Sequence, residues 1–177
     1  FPKDVKALIS KANDLGYRPK LLKATDEVNK GQKLIIFNKV LKRFDGNLKG
    51  MKFAVWGLSF KPETDDVRES PSIEVIKNLI KSGAAVSVFD PKASENFKKI
   101  MAKNKDIQYM ESKESCLENS DALIIMTEWK DFEINNYSKI KSLLKRPIIF
   151  DSRNLLDKRK TTSSGFEYFG IGRKGDA

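Results

Sequence analysis

Apolar residues follow a helical period up to about residue 46 and a strand–helix alternation after it. Val5, Leu8, Ala12 and Leu15 share one face of a helix over Asp4–Leu15, and Gly16 supplies its stop. Tyr17-Arg18-Pro19 reads as a turn. Lys20 to Phe44 then runs without proline and predicts one long helix, roughly 36 Å if fully wound. Gly31 is the weak point of that pattern. Ile35-Ile36-Phe37 covers more than one face, which favours a subunit interface, with ordinary core packing as the alternative. Asp45-Gly46-Asn47-Leu48-Lys49-Gly50 has the composition of a linker. The expected division is therefore a helical segment over 1–48 and an α/β domain over 49–177.

In the second part, Met51–Trp56, Ala84–Asp90, Ile107–Met110, Asp121–Met126, Pro147–Phe150 and Phe166–Phe169 read as strands. Pro71–Ser82, Ser94–Met101, Ser112–Leu117 and Tyr137–Leu144 read as the helices between them. Ser70 suits an N-cap and Pro71 a first helical position. Such alternation predicts a Rossmann-like parallel sheet, doubly wound with right-handed crossovers, preceded by a helical segment with a long dimerisation helix.

Ligands of such sheets bind beyond the carboxyl ends of the strands. Gly57–Ser70, Thr127–Trp129 and Asp151–Asn154 each follow a strand directly, so a parallel sheet brings all three to one edge. Lys61 and Arg153 then share a rim suited to a phosphate or a base edge, or form a rim of solvated charges. Arg68 stands just before a helix start, where a cation opposes the helix dipole. It serves an external anion, or it pairs with Asp65, Asp66 or Glu69. The loop lacks the glycines of a dinucleotide fingerprint, so Asp90 reads as a strand-end turn residue before Pro91 and not as a ribose ligand.

Composition narrows the chemistry. The 177 residues contain no histidine and one cysteine, Cys116, which removes histidine-based triads, the usual zinc sets and an internal disulfide framework. No metal site is expected. Net charge is +10, from 34 basic and 24 acidic residues. The lysines are scattered and no nucleic-acid-binding motif occurs, so attraction of small phosphorylated anions explains the charge better than nucleic acid does. No apolar run is long enough for a membrane span, and a cytoplasmic setting is expected.

Gly57-Leu-Ser-Phe-Lys-Pro-x-Thr-Asp-Asp-x-Arg-Glu-Ser-Pro71 resembles the signature of the UDP-glucose/GDP-mannose dehydrogenase family. Phe1-Pro-Lys-Asp4 resembles the segment directly after that family's catalytic cysteine. Thr127-Glu-Trp129 with Phe132, and Asp151-Ser-Arg-Asn154 with Ser152 where glycine is usual, resemble two further motifs. Gly165-Phe and Gly170-Ile-Gly-Arg173 fit its closing segment. The resemblance spans nearly the whole chain and favours the family's UDP-glucose branch. It implies an enzyme that oxidises UDP-glucose to UDP-glucuronate with two NAD through a cysteine thiohemiacetal and thioester. An N-terminal domain would bind NAD, a long central helix would form the homodimer, and the C-terminal domain would bind UDP-glucose.

By matched position, Asp4 would be catalytic, orienting or activating water, although a first-turn helix charge is the local alternative. Lys3 and Arg68 would reach NAD, and Phe60, Lys61 and Arg153 would contact the substrate. The chain opens on Phe1 and has no Gly-x-Gly-x-x-Gly, so it is expected to be a C-terminal portion, silent in catalysis by itself. Cys116 is expected to be a packing residue. A GDP-mannose or UDP-N-acetylhexosamine dehydrogenase, and a non-enzymatic nucleotide-sugar-binding module, are the alternatives.

Overall fold

The structure, a computed structural model, describes residues 2–101 and 104–172. It divides into two compact units, 1–35 and 36–177.

The first unit is a pair of helices, α1 (Pro2–Asp14) and α2 (Lys20–Lys33). Gly16, at φ +71°, ends α1. Its N–H donates to Asn13 O at 2.9 Å and the Tyr17 N–H to Ala12 O at 2.9 Å, the paired bonds of a Schellman cap. Leu8, Leu15, Tyr17, Leu21 and Val28 stay exposed, Leu21 at 84%. Not one residue of α2 is buried.

The single helix expected over Lys20–Phe44 is two helices. Leu34 interrupts it, donating its N–H back to Gly31 O, and α3 runs over Ile35–Arg43. Ile36, Phe37, Val40 and Phe44 belong to the core of the second unit, with Phe44 edge-on to Phe53 at 5.5 Å. Burial of this apolar run holds α3, whereas α2 has no buried residue to extend a straight helix through the poor helix former Gly31. The boundary between units accordingly falls at 35/36 instead of 48/49. The second face inferred from Ile35-Ile36-Phe37 is core packing for Ile36 and Phe37.

The second unit carries six parallel strands: β1 (Lys52–Trp56), β2 (Ala85–Phe89), β3 (Ile107–Tyr109), β4 (Ala122–Ile125), β5 (Ile148–Asp151) and β6 (Glu167–Phe169). Their order is β3-β2-β1-β4-β5-β6, a doubly wound sheet whose direction of growth reverses between β1 and β4. Strand residues alternate between two cores. Phe53 and Val55 of β1 face one, with α3, α4 (Pro71–Lys81) and α5 (Ser94–Met101). Ala54 and Trp56 face the other, with α6 (Lys113–Leu117) and α7 (Tyr137–Leu143). Both faces are covered, which is why β1, β4 and β5 read as continuous apolar runs.

Two further elements, the 3-10 turn Lys130–Phe132 and α8 (Lys158–Ser163), carry no apolar period. Asp157 caps α8 by accepting from Lys160 N–H at 2.7 Å, and Tyr137 fastens it through a 3.0 Å hydroxyl contact to Thr161. Among the described residues no helix is long and apolar enough to cross a membrane.

Candidate functional site

The switch point of the sheet is its carboxyl edge at β1 and β4, and the loops that leave there are locked together. The loop after β1 begins at Gly57, whose N–H donates to Phe89 O at 2.9 Å. Leu58 N–H, Ser59 N–H and Ser59 Oγ–H then donate to one oxygen of Asp90, at 2.7, 3.0 and 3.0 Å. From the β4 side, Thr127 Oγ1–H donates to Ser59 O at 2.7 Å and Trp129 Nε1–H to Ser59 Oγ at 3.0 Å. Ser59 and Thr127 are fully buried. The loop ends at Ser70, the cap of α4, whose hydroxyl accepts from Ser72 N–H. Ser72 Oγ–H in turn donates to Leu58 O at 3.0 Å.

This rigid base presents Phe60 and Lys61 outward. Phe60 is 38% exposed although it is a large apolar side chain. Lys61 is exposed and makes no ion pair among the described residues. Further along, Glu63 and Glu69 both hold φ at +61°, a conformation uncommon for glutamate and held only where surrounding contacts enforce it.

Two strands away, about 10 Å along the sheet, β5 leads into Asp151-Ser152-Arg153-Asn154. The buried Asp151 carboxylate accepts from Arg153 N–H at 3.0 Å, Leu156 N–H at 2.9 Å and Tyr168 Oη–H at 3.0 Å. Ser152 donates both N–H and Oγ–H to Ile125 O, at 2.9 and 2.8 Å. The left-handed residue of this turn is Asn154, at φ +53°, so serine at 152 is accommodated without strain. Arg153 lays Nε on Met126 O at 2.9 Å and on the Glu128 carboxylate at 3.1 Å. The Asn154 amide makes two 3.0 Å bonds to the backbone of Ile171, tying the last described residues to this turn.

Of the residues expected from sequence, Phe60, Lys61 and Arg153 therefore stand on one edge of the sheet. Arg68 lies on the same β1–α4 loop, but its guanidinium forks onto Asp66 at 2.9 and 2.8 Å. That hydrogen bond, with the nearby negative charge, raises its already high pKa. An internal carboxylate thus answers the awkward charge before the helix, one of the partners left open by sequence. Lys3 and Asp4 are exposed in the first turn of α1, in the other unit. Asp90 was legible only as an Asp-Pro turn, Glu128 as part of a motif, and Asp66 as one of three acids beside Arg68.

The sheet does not fit a dinucleotide in the usual crevice. At the α4 N-terminus the Ser70 and Ser72 hydroxyls lie 2.8 Å apart, and that of Ser72 is already spent on Leu58 O. Both Asp90 oxygens are taken by protein donors, which leaves neither for a ribose. Cys116 is fully buried, donating to Ser87 O at 3.1 Å, and burial pushes its thiol up to about 12. Among the described residues no three His, Cys, Asp or Glu side chains are grouped so as to hold a metal ion.

Residues 54–158 match the UDP-glucose/GDP-mannose dehydrogenase family, UDP binding domain. The chain belongs to this family. It is 42% identical over 174 residues to a UDP-glucose 6-dehydrogenase of Rickettsia bellii, covering 98% of this chain and 40% of that relative. A UDP-glucose dehydrogenase structure from Pyrobaculum islandicum superposes with a TM-score of 0.79 at 32% identity, over 96% of this chain and 36% of that one. A UDP-D-ManNAc dehydrogenase from Pyrococcus horikoshii, at 24% identity and a TM-score of 0.72, covers 99% of this chain and 38% of its own, and shares the fold. The chain thus spans about 40% of the length of the UDP-glucose 6-dehydrogenases it matches. The matched family region holds Phe60, Lys61, Arg68 and Arg153, and ends as α8 begins.

Proposed function

We propose that this chain is the UDP-sugar-binding part of a UDP-glucose 6-dehydrogenase, with Phe60, Lys61 and Arg153 contacting UDP-glucose. The observation that carries the reading is the carboxyl edge of the sheet. A locked loop there holds out an exposed aromatic ring and an ammonium with no ion pair among the described residues, across from an arginine fixed by Met126 O and Glu128. A ring that takes a base face and cations that take a diphosphate are the groups a nucleoside diphosphate needs.

In the complete enzyme the reaction would be oxidation of UDP-glucose to UDP-glucuronate with two NAD. This sheet does not fit NAD, so the cofactor would be held by another domain. Lys3 and Arg68 are the residues proposed to reach it. Asp4 is proposed to orient water at the reacting carbon. A cytoplasmic homodimer completes the reading. The apolar residues left exposed on α1 and α2, Leu8, Leu15, Leu21 and Val28, support the helix pair as its interface.

Titration calorimetry of the chain with UDP-glucose, GDP-mannose, a UDP-N-acetylhexosamine and inorganic phosphate tests the site. UDP-glucose is expected to bind tightest. Lys61→Ala and Arg153→Ala are each expected to weaken it about tenfold, the loss of one charge-assisted contact. Preference for another nucleotide sugar would reassign the substrate. Binding of phosphate alone, or of nucleic acid with a steep salt dependence, would overturn the reading.

A further inference from the structure

The β1–α4 loop takes its shape from the turn after the neighbouring strand. Three side chains of the 90–96 segment grip it in sequence. Asp90 holds Leu58 and Ser59. Lys92 Nζ donates to Glu63 at 2.9 Å. Asn96 donates Nδ2–H to the carboxylate and the carbonyl of Asp65, at 2.9 and 3.2 Å. Phe60 and Lys61 lie between the first grip and the second.

The two oxygens of Asp90 divide their work. Oδ1 accepts from Lys92 N–H at 2.9 Å and Ala93 N–H at 2.8 Å, which is all that a strand-end turn requires. Oδ2 faces the other way. It accepts from Leu58 N–H, Ser59 N–H and Ser59 Oγ–H, with Trp129 Nε1 3.3 Å away. An aspartate serving only its own turn would leave Oδ2 to water, yet this residue is 4% exposed. One buried carboxylate therefore joins three loops of the carboxyl edge, from β2, β1 and β4. Lys92 strengthens the same junction, its Nζ lying 5.6 Å over the Trp129 ring.

We infer that Asp90 is a positioning residue for the substrate site: its Oδ2 fixes the backbone at Leu58 and Ser59, and so aims Phe60 and Lys61. This rests on the UDP-sugar reading for the ligand, but not for the loop. The negative charge matters because every partner is a donor. Asparagine has one acceptor oxygen, so Asp90→Asn turns an amide NH2 toward N–H donors on one side or the other.

The experiment pairs two readouts on Asp90→Asn, Lys61→Ala and the double variant. Asp121→Asn serves as a control, since Asp121 accepts from Lys52 N–H at the opposite edge of the sheet. Amide hydrogen exchange is read at Leu58, Ser59 and Phe60 relative to Ile124 in the core, so that a global loss of stability cancels. UDP affinity is read by calorimetry. Asp90→Asn is expected to speed exchange of the loop amides at least about tenfold over the core and to weaken UDP about tenfold. In the Lys61→Ala background the same change should cost markedly less affinity, because Asp90 acts through Lys61. Asp121→Asn should alter neither ratio. Equal acceleration of loop and core, or additive affinity losses, would overturn the inference by reducing Asp90 to a general stabiliser. If the unsubstituted chain binds no UDP, the functional reading fails, and the exchange ratio alone decides whether Asp90 sets the loop.

Discussion

Gly57 and Thr127 touch at the switch point of the sheet. A Cβ built on Gly57 would lie 2.6 Å from the Thr127 Cβ and 2.6 Å from its backbone nitrogen. Gly57 also holds φ at +96°, which L side chains rarely adopt. Closeness and conformation both demand glycine, and this contact lets Thr127 reach Ser59 O.

Gly57→Ala is accordingly expected to destabilise the chain by about 3 kcal/mol, combining backbone strain with overpacking. A urea titration should show a lower midpoint at unchanged slope. A midpoint within experimental error of the parent would show that the two loops part without cost.

Arg68 and Asp66 form a bidentate pair at the surface, with the Arg68 side chain 85% exposed. Breaking so exposed a pair should leave the melting temperature unchanged. If the proposed function holds, Arg68→Ala in the full-length protein is expected to raise the KM for NAD several-fold while leaving UDP-glucose binding intact. An unchanged KM for NAD with intact turnover would confine Arg68 to its contact with Asp66.

Arg43 forks onto Glu167 at 2.6 and 2.7 Å, joining α3 to the edge strand β6. This hydrogen bond, with the Arg43 charge, holds the Glu167 carboxyl below its ordinary 4.5. A depressed carboxylate contributes stability that is complete above 4.5 and is lost as pH falls through the lowered folded value. Both side chains are partly exposed, so the contribution is under about 1 kcal/mol and shrinks with salt. Glu167→Gln should flatten this part of the stability profile below pH 4.5 in low-salt denaturation curves. An unaltered profile would place the acid sensitivity elsewhere.

Cys116 is fully buried and its thiol is pushed up from 9.0 to about 12, which leaves roughly a thousand-fold less thiolate near neutral pH. The folded chain should resist a disulfide reagent at pH 8 and release one thiol equivalent in denaturant. Rapid reaction of the native chain would make Cys116 a reactive group and reopen its role.

Much of the sheet could be read from sequence because its signals are local. The runs Phe53–Trp56 and Ala122–Ile125 are apolar on both faces, and Ser70-Pro71 combines a cap with a first-turn proline. Alternation of strand and helix then implies parallel strands and a shared carboxyl edge, which is where Lys61 and Arg153 stand. The break at Leu34 lay beyond that reading, because helix periodicity in Lys20–Phe44 does not say which half finds a core to bury against. Ile36, Phe37 and Val40 find one and α2 does not. The work of Asp90 was equally hidden. A carboxylate before proline looks the same whether its second oxygen meets water or the Leu58 and Ser59 amides, more than thirty positions earlier. Periodicity and turn chemistry act between neighbours in the chain, so the sequence by itself determined the elements and the edge at which they present their loops. Hydrogen-bond partners far apart in the chain are chosen only when strands take their places side by side. The tertiary structure therefore decided which charges are satisfied inside the fold, such as Asp90, and which, like Lys61, stay exposed with no ion pair among the described residues.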